Sequence, residues 1–179
     1  MLNIFICEDE QRHMDAVRKS IENHVMIHEL AMDIVCAAHA PGEVMEYLKN
    51  NPGQAGLYFL DVHLNADIDG IRLGEAIRKH DPRGFIVYIT SDGDSHRMTF
   101  KHKVEAMDYI VKGDPYMGER IGECIDNALA KLTATATPLQ DNFVFKLSDD
   151  IKRFRGKTSL AKAASNSPAA CGKSKSGLI

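Results

Sequence analysis

Four short apolar runs in this chain each end in an acidic, hydroxyl or cationic side chain. Leu2–Cys7 runs into Glu8 and Asp9, and Leu57–Leu60 into Asp61. Phe85–Ile89 runs into Thr90 and Ser91, and Met107–Val111 into Lys112. If the runs are parallel strands of one sheet, all four tips lie along one edge. The carboxyl edge of an open parallel sheet is where such folds bind ligands. Three carboxylates, a hydroxyl and an ammonium would then converge on one shallow cleft. Hard oxygen donors with one cation suit a magnesium ion and a single phosphoryl group.

The segments between the runs carry helical periodicity, so the first 131 residues alternate as βα units. Met14, Val17, Ile21 and Val25 recur at spacings of three and four over residues 10–26. Ala31–Ala38 reads as a further strand. Pro41 opens a short helix carrying Val44, Tyr47 and Leu48 on one side, since proline suits a first helical turn. Gly70 opens another, with Ile71, Gly74 and Ile77 aligned. Residues 91–103 read as a weak helix anchored by Met98, Phe100 and Val104. A strand follows over 106–112, and the last helix has the stripe Ile121, Cys124, Ile125, Ala128 and Leu132. Five such units predict an α/β fold with a doubly wound, five-stranded parallel sheet.

Composition bounds the rest. The apolar fraction of 44% is enough for a buried core. No apolar run approaches the ~18 residues that a membrane span needs. The N-terminus lacks the basic segment and cleavage site of a signal peptide, so a cytoplasmic protein with no membrane partner is expected. Cys7, Cys36 and Cys124 sit in apolar patterns and Cys171 in a polar tail. None forms a CxxC pair, so buried, chemically quiet thiols are expected. His24 and His28, one helical turn apart, read as surface histidines. After Asp150 there are seven cations and no acid, which puts +7 on residues 151–179 and, with a whole-chain charge of −3, −10 on residues 1–150.

Residues 132–141 read as a linker, and Asn142–Phe154 alternates as a strand. Residues 155–179 carry almost no large apolar side chain and are expected to be disordered. The composition change at Arg155 suggests a truncated or frameshifted product. The +7 tail reads as a remnant or out-of-frame peptide without function, or alternatively as a segment that attracts nucleic acid weakly and without regard to sequence.

Taken singly, each tip residue has an ordinary explanation. Asp9 could cap the following helix, and a lysine at a strand end is usually solvated. The ordered set of acid pair, Asp, Thr and Lys is more specific, and it resembles the receiver domain of two-component response regulators over residues 2–131. The resemblance implies a flavodoxin-like fold, no enzymatic turnover and phosphoryl acceptance at Asp61. It further implies a Mg2+ site formed by Glu8, Asp9, Asp61 and the backbone carbonyl of His63. Lys112 and Thr90 would stabilise the phosphoryl group, and Thr90 and Tyr109 would act as the switch. Departures from the pattern are Glu8 in place of Asp and Gly113 where the family has proline.

Ile4–Glu10, Phe59–Val62, Ile77–Pro82 and Ala106–Ile110 are similar to quorum-sensing regulators that carry a LytTR-type DNA-binding domain. Residues 142–154 resemble the opening strands of that domain. The implied partners are a sensor histidine kinase and a second copy of the chain on phosphorylation, with transcription as the output. Specific DNA binding is not expected of residues 142–179. The alternatives are a stand-alone receiver acting as a phosphate sink, or a phosphohydrolase with an aspartyl nucleophile of the haloacid dehalogenase type. The latter needs a second Asp two residues after Asp61, where this chain has His63. A nucleotide binder of flavodoxin type lacks its Gly-rich loop after the first strand.

Overall fold

The computed structural model describes residues 2–91, 104–136, 146–147 and 150–151. The chain divides into two compact units, Met1–Ala136 and Thr137–Ile179. In the first, the strands are β1 (Asn3–Cys7), β2 (Asp33–Ala38), β3 (Gly56–Asp61), β4 (Phe85–Thr90) and β5 (Asp108–Val111). The helices are α1 (Gln11–Ile27), α2 (Pro41–Asn50), α3 (Gly70–His80) and α4 (Met117–Ala136). All strand pairs are parallel, in the order β2-β1-β3-β4-β5. The chain starts near the middle of the sheet, winds outward to β2, and returns past β1 to β3. The reversal between β1 and β3 is a topological switch point, which leaves a crevice at the carboxyl ends of those two strands.

Strand alternation supplies both faces of the sheet. Ile4, Ile6, Leu57, Phe59, Val87, Ile89 and Ile110 join Met14, Val17 and Ile21 of α1 and Ile121, Ile125 and Ala128 of α4 in one core. Phe5, Cys7, Tyr58, Leu60, Ile86 and Tyr88 join Val44 and Leu48 of α2 and Ile71, Leu73 and Ile77 of α3 in the other. Burial on both sides is why these strands read as continuous apolar runs rather than alternating ones.

Local chemistry sets the helix ends. Asp69 caps α3 by accepting the Arg72 N–H at 2.8 Å. Glu43 reaches back to the Ala40 N–H at 3.1 Å and closes the first turn of α2. The N-cap of α1 is Glu10, so Asp9 is released from the capping role that its position allows.

Several expected boundaries move. The linker expected over 132–141 is helical as far as Ala136, because α4 continues past its last apolar residue, Leu132. Its apolar stripe marks where the helix is buried, whereas backbone bonding carries it five residues beyond 131. The strand expected over 106–112 is shortened to Asp108–Val111, although the Met107 N–H still bonds Ile86 O at 2.6 Å. The single strand expected over 142–154 contains two short strands, Lys146–Leu147 and Asp150–Ile151, paired antiparallel. Antiparallel pairing of Lys146–Leu147 with Asp150–Ile151 is incompatible with one continuous strand. The weak helix expected over 91–103 falls, past Ser91, outside the described residues, as do 137–145 and the tail from Lys152.

Candidate metal and phosphoryl site

The sheet brings the acidic tips of β1 and β3 together. Ligand oxygens of Glu8, Asp9 and Asp61 all lie within 4.8 Å of one another. Glu8 and Asp61 are almost fully buried, whereas Asp9 is partly exposed at the rim. Lys112, just past β5, crosses the mouth of the crevice. Its Nζ donates to Asp61 Oδ2 at 2.7 Å and to Glu8 Oε1 at 2.9 Å, and it lies 2.8 Å from Glu8 Oε2. The Lys112 N–H bonds Thr90 O at 2.7 Å, which fixes the end of β5 against the end of β4. Thr90 is buried at the tip of β4.

The loop after Asp61 holds the acids in place. The His63 N–H donates to Asp61 Oδ1 at 3.1 Å, while its imidazole is exposed. Asn65 donates to Asp9 Oδ2 twice, from its backbone at 3.2 Å and its side-chain amide at 2.6 Å. The loop then folds back so tightly that a Cβ on Gly70 would lie 1.8 Å from Asp61 O. Only glycine permits that approach. Around Glu8, the His39 Nδ1 lies 2.9 Å from its carbonyl oxygen, and the His13 Nδ1 lies 3.8 Å from its Oε1.

Burial is the largest influence on the Glu8 carboxyl and raises its pKa, and the nearby Asp61 adds to the rise. The Lys112 hydrogen bond opposes both without cancelling them. Burial also disfavours the Lys112 ammonium, but its bonds to Asp61 and Glu8 outweigh that and raise its pKa. For Asp9 burial is the largest single influence and acts to raise the pKa, but the two Asn65 bonds, helped by the nearby Lys112 charge, together outweigh it and hold the carboxyl below its ordinary range. Three carboxylates face one ammonium, so the crevice carries surplus negative charge. An all-oxygen donor set with uncompensated charge fits a hard divalent cation. The same set places the Asp61 carboxylate beside a fixed positive charge.

Of the residues the sequence singles out, the structure joins Glu8, Asp9, Asp61 and Lys112 by direct contact or close approach. Thr90 is placed at the neighbouring tip, and His63 is attached through its backbone. Tyr109 lies three residues inside the edge, its ring stacked on Tyr88 with centroids 5.3 Å apart. Sequence reasoning missed Asn65, His39 and Tyr88. Asn65 had the signal of an amide in the loop after the key aspartate. His39 follows β2 on the far side of β1, and only strand order reveals its proximity. The thiols behave as expected in two cases of three, with Cys7 and Cys124 buried and Cys36 half-buried. His24 and His28 stack at 4.3 Å, and His24 Nε2 lies 3.0 Å from Asp126 Oδ1 across α1 and α4.

Comparison with known proteins agrees with this geometry. The profile described as the response regulator receiver domain matches residues 4–119. The chain is 44% identical over 132 residues to accessory gene regulator protein A of Staphylococcus aureus strain N315, a match covering 73% of this chain and 55% of that protein. It thus spans about half the length of such relatives. Its namesake from Staphylococcus epidermidis strain RP62A is 38% identical over 167 residues, covering 88% of this chain and 70% of that protein. That match extends past Ala136.

Among solved structures, the response regulatory domain of protein mrkE from Klebsiella pneumoniae is 26% identical with a TM-score of 0.60, covering 74% of this chain and 98% of that one. A CheY-like receiver domain protein from Methanospirillum hungatei JF-1 shares the fold at 20% identity and a TM-score of 0.60, covering 75% of this chain and 98% of that one. No helix among the described residues is long and apolar enough to cross a membrane. Strand order, the acid cluster bridged by Lys112 and the profile over residues 4–119 converge, and the chain belongs to the response regulator receiver domain family.

Proposed function

We propose that this chain is the phosphoryl-accepting component of a two-component relay. In this reading a sensor histidine kinase donates the phosphoryl group and Asp61 accepts it. The observation that carries the proposal is the bridge of Lys112 from buried Asp61 to buried Glu8, with Asp9 beside them. Glu8, Asp9 and Asp61, with the backbone carbonyl of His63, would hold Mg2+. When bound, the ion supplies charge neutralisation for the phosphoryl oxygens.

The residues of the chain do the rest. An oxygen of Asp61 attacks phosphorus. The P–O bond forms as the P–N bond of the donor phosphohistidine breaks, and the imidazole departs. Lys112 exchanges part of its bond to Asp61 for a phosphoryl oxygen, and the Thr90 hydroxyl donates to another. The His63 N–H keeps Asp61 oriented through its second oxygen. The acceptor is consumed rather than regenerated in the step, so the chain acts as a stoichiometric relay. Thr90 and Tyr109 then pass the charge change to the surface, where homodimerisation is the expected response.

The relatives' name, accessory gene regulator protein A, supports control of genes as the output, and the quorum-sensing type rests on the sequence resemblance. Sequence-specific DNA contact is not assigned to residues 142–179. The dehalogenase-type alternative gains no support from the site, where position 63 offers an exposed imidazole in place of a second carboxylate.

Incubation with acetyl phosphate and magnesium, followed by intact-mass analysis, tests the reading. One base-labile phosphoryl group is expected on the wild type and none on Asp61→Asn. Equal labelling of the two would refute the assignment.

A further inference from the structure

Tyr88 is an unusual neighbour for a switch tyrosine. It is a large polar side chain, fully buried at 0% exposure in the middle of β4. Its register partner on β5 is Tyr109, and the two rings stack at 26° between planes. Strand alternation puts Tyr88 on the same face as Thr90, two residues on. The hydroxyl points the other way, towards α3. A Cβ on Gly74 would lie 2.2 Å from the Tyr88 hydroxyl oxygen and 3.2 Å from Val104 Cγ1. Among the described residues that hydroxyl has no hydrogen-bond partner.

These contacts make a continuous mechanical chain. Tyr109 covers one face of Tyr88, and Tyr88 spans the second core to the backbone of α3. Close-packed interiors do not deform smoothly, so rings in such a stack exchange between discrete arrangements. If Tyr109 swings out, the ring face beneath it loses its packing partner. Tyr88 then has room to shift, and its unsatisfied hydroxyl has reason to, because a buried polar group without a partner is unfavourable.

We infer that Tyr88 is a positioning residue for Tyr109, its ring holding Tyr109 inward and its hydroxyl passing the position of Tyr109 to α3 at Gly74. The inference rests on the relay reading above and deepens it. It makes α3 a second output of the site besides the β5 surface.

The full chain labelled with 3-fluorotyrosine tests it. The five tyrosines give resolvable fluorine resonances, and Tyr109→Phe assigns the one that matters. Spectra are taken with magnesium, with and without beryllium fluoride as a stand-in for the phosphoryl group. In the wild type the Tyr109 resonance is expected to move on addition of beryllium fluoride. In Tyr88→Leu, without it, the resonance is expected to lie more than halfway to that position. Tyr88→Phe keeps the ring and is expected to leave Tyr109 at rest. A Tyr109 resonance at its wild-type resting position in Tyr88→Leu would overturn the inference, as would a Tyr88→Phe spectrum shifted as far as that expected of Tyr88→Leu.

Should Tyr88→Leu fail to fold, Gly74→Ala serves instead. It displaces the hydroxyl from the α3 side, and an unmoved Tyr109 resonance in that variant would equally refute the coupling. Acetyl phosphate labelling of Asp61 separates the two levels. Normal labelling with an unmoved Tyr109 removes only the inference, whereas absent labelling removes the relay reading and the inference with it.

Discussion

The Lys112 ammonium lies 2.7 Å from Asp61 Oδ2, with both side chains under 10% exposed, at 8% and 3%. One buried cation thus neutralises the carboxylate that the proposed relay would load with further negative charge. The second bond from Lys112, to Glu8, ties Asp61 to the opposite wall of the crevice. Lys112 is therefore a structural bridge in the resting chain, and in the proposed transfer it would act electrostatically.

Removing that cation leaves two buried carboxylates facing each other. Lys112→Met is expected to cost about 3 kcal/mol or more in magnesium-free buffer, because breaking a buried pair strands an uncompensated charge. Saturating magnesium is expected to restore part of the loss. Urea unfolding with chelator and with magnesium measures both. Equal stability of variant and wild type in chelator would contradict the role given to the bridge.

Gly70 is where the loop after Asp61 packs back on β3. Gly70→Ala places a Cβ 1.8 Å from Asp61 O. Overpacking against backbone is expected to destabilise the fold by on the order of 3 kcal/mol and to displace the Asp61–Lys112 pair. Phosphoryl uptake per folded molecule should fall at least tenfold. A variant with wild-type stability and uptake would show that the loop yields freely.

At the opposite edge of the sheet, buried Asp81 accepts from the Gly56 N–H at 2.9 Å and the Tyr58 hydroxyl at 3.1 Å. Asp81→Ala leaves two buried donors unpaired and is expected to cost about 2–4 kcal/mol. Because this tie lies at the amino ends of the strands, labelling of Asp61 in the folded fraction is expected to be unaffected. Thermal unfolding and intact-mass labelling measure the two effects separately.

Alkaline pH is expected to unfold the chain. Burial pushes the thiols of Cys7 and Cys124 up to about 12 from 9.0, with the nearby Asp108 adding to the second. Burial also raises the Tyr58 and Tyr88 hydroxyls above 10.0, and the carboxylates raise Lys112 above 10.5. In every case the folded pKa exceeds the unfolded one, so the unfolded state gives up protons first. Each contribution is fully present below the unfolded value and is lost as pH rises towards the folded value. Stability should therefore fall from about pH 9 upward. Cys7→Ala should make that fall shallower. A urea midpoint independent of pH over that window would refute the assignment.

Much of the candidate site was legible in the sequence. Glu8, Asp61 and Lys112 could be picked out because each closes an apolar run, and a strand buried on both faces shows its end as an abrupt change to charge. Alternating βα units then make the strands parallel, which places all their carboxyl ends on one edge. The second unit was less legible, because alternation over 142–154 describes a strand without saying where it reverses.

By itself, the sequence determined which residues end strands, which faces of the helices are apolar, and that the strand tips meet on one edge. These follow from periods of 2 and 3.6 residues and from local capping, all of which act within a few residues. Tertiary structure alone decided that Lys112 spans Asp61 and Glu8, that Asn65 holds Asp9, that Gly70 closely approaches the Asp61 backbone, and that Tyr88 lies between Tyr109 and Gly74. Each of those contacts links separate elements at distances of a few ångströms. Strand register, sheet twist and the packing of whole side chains set them together, and no local pattern in the sequence encodes that sum.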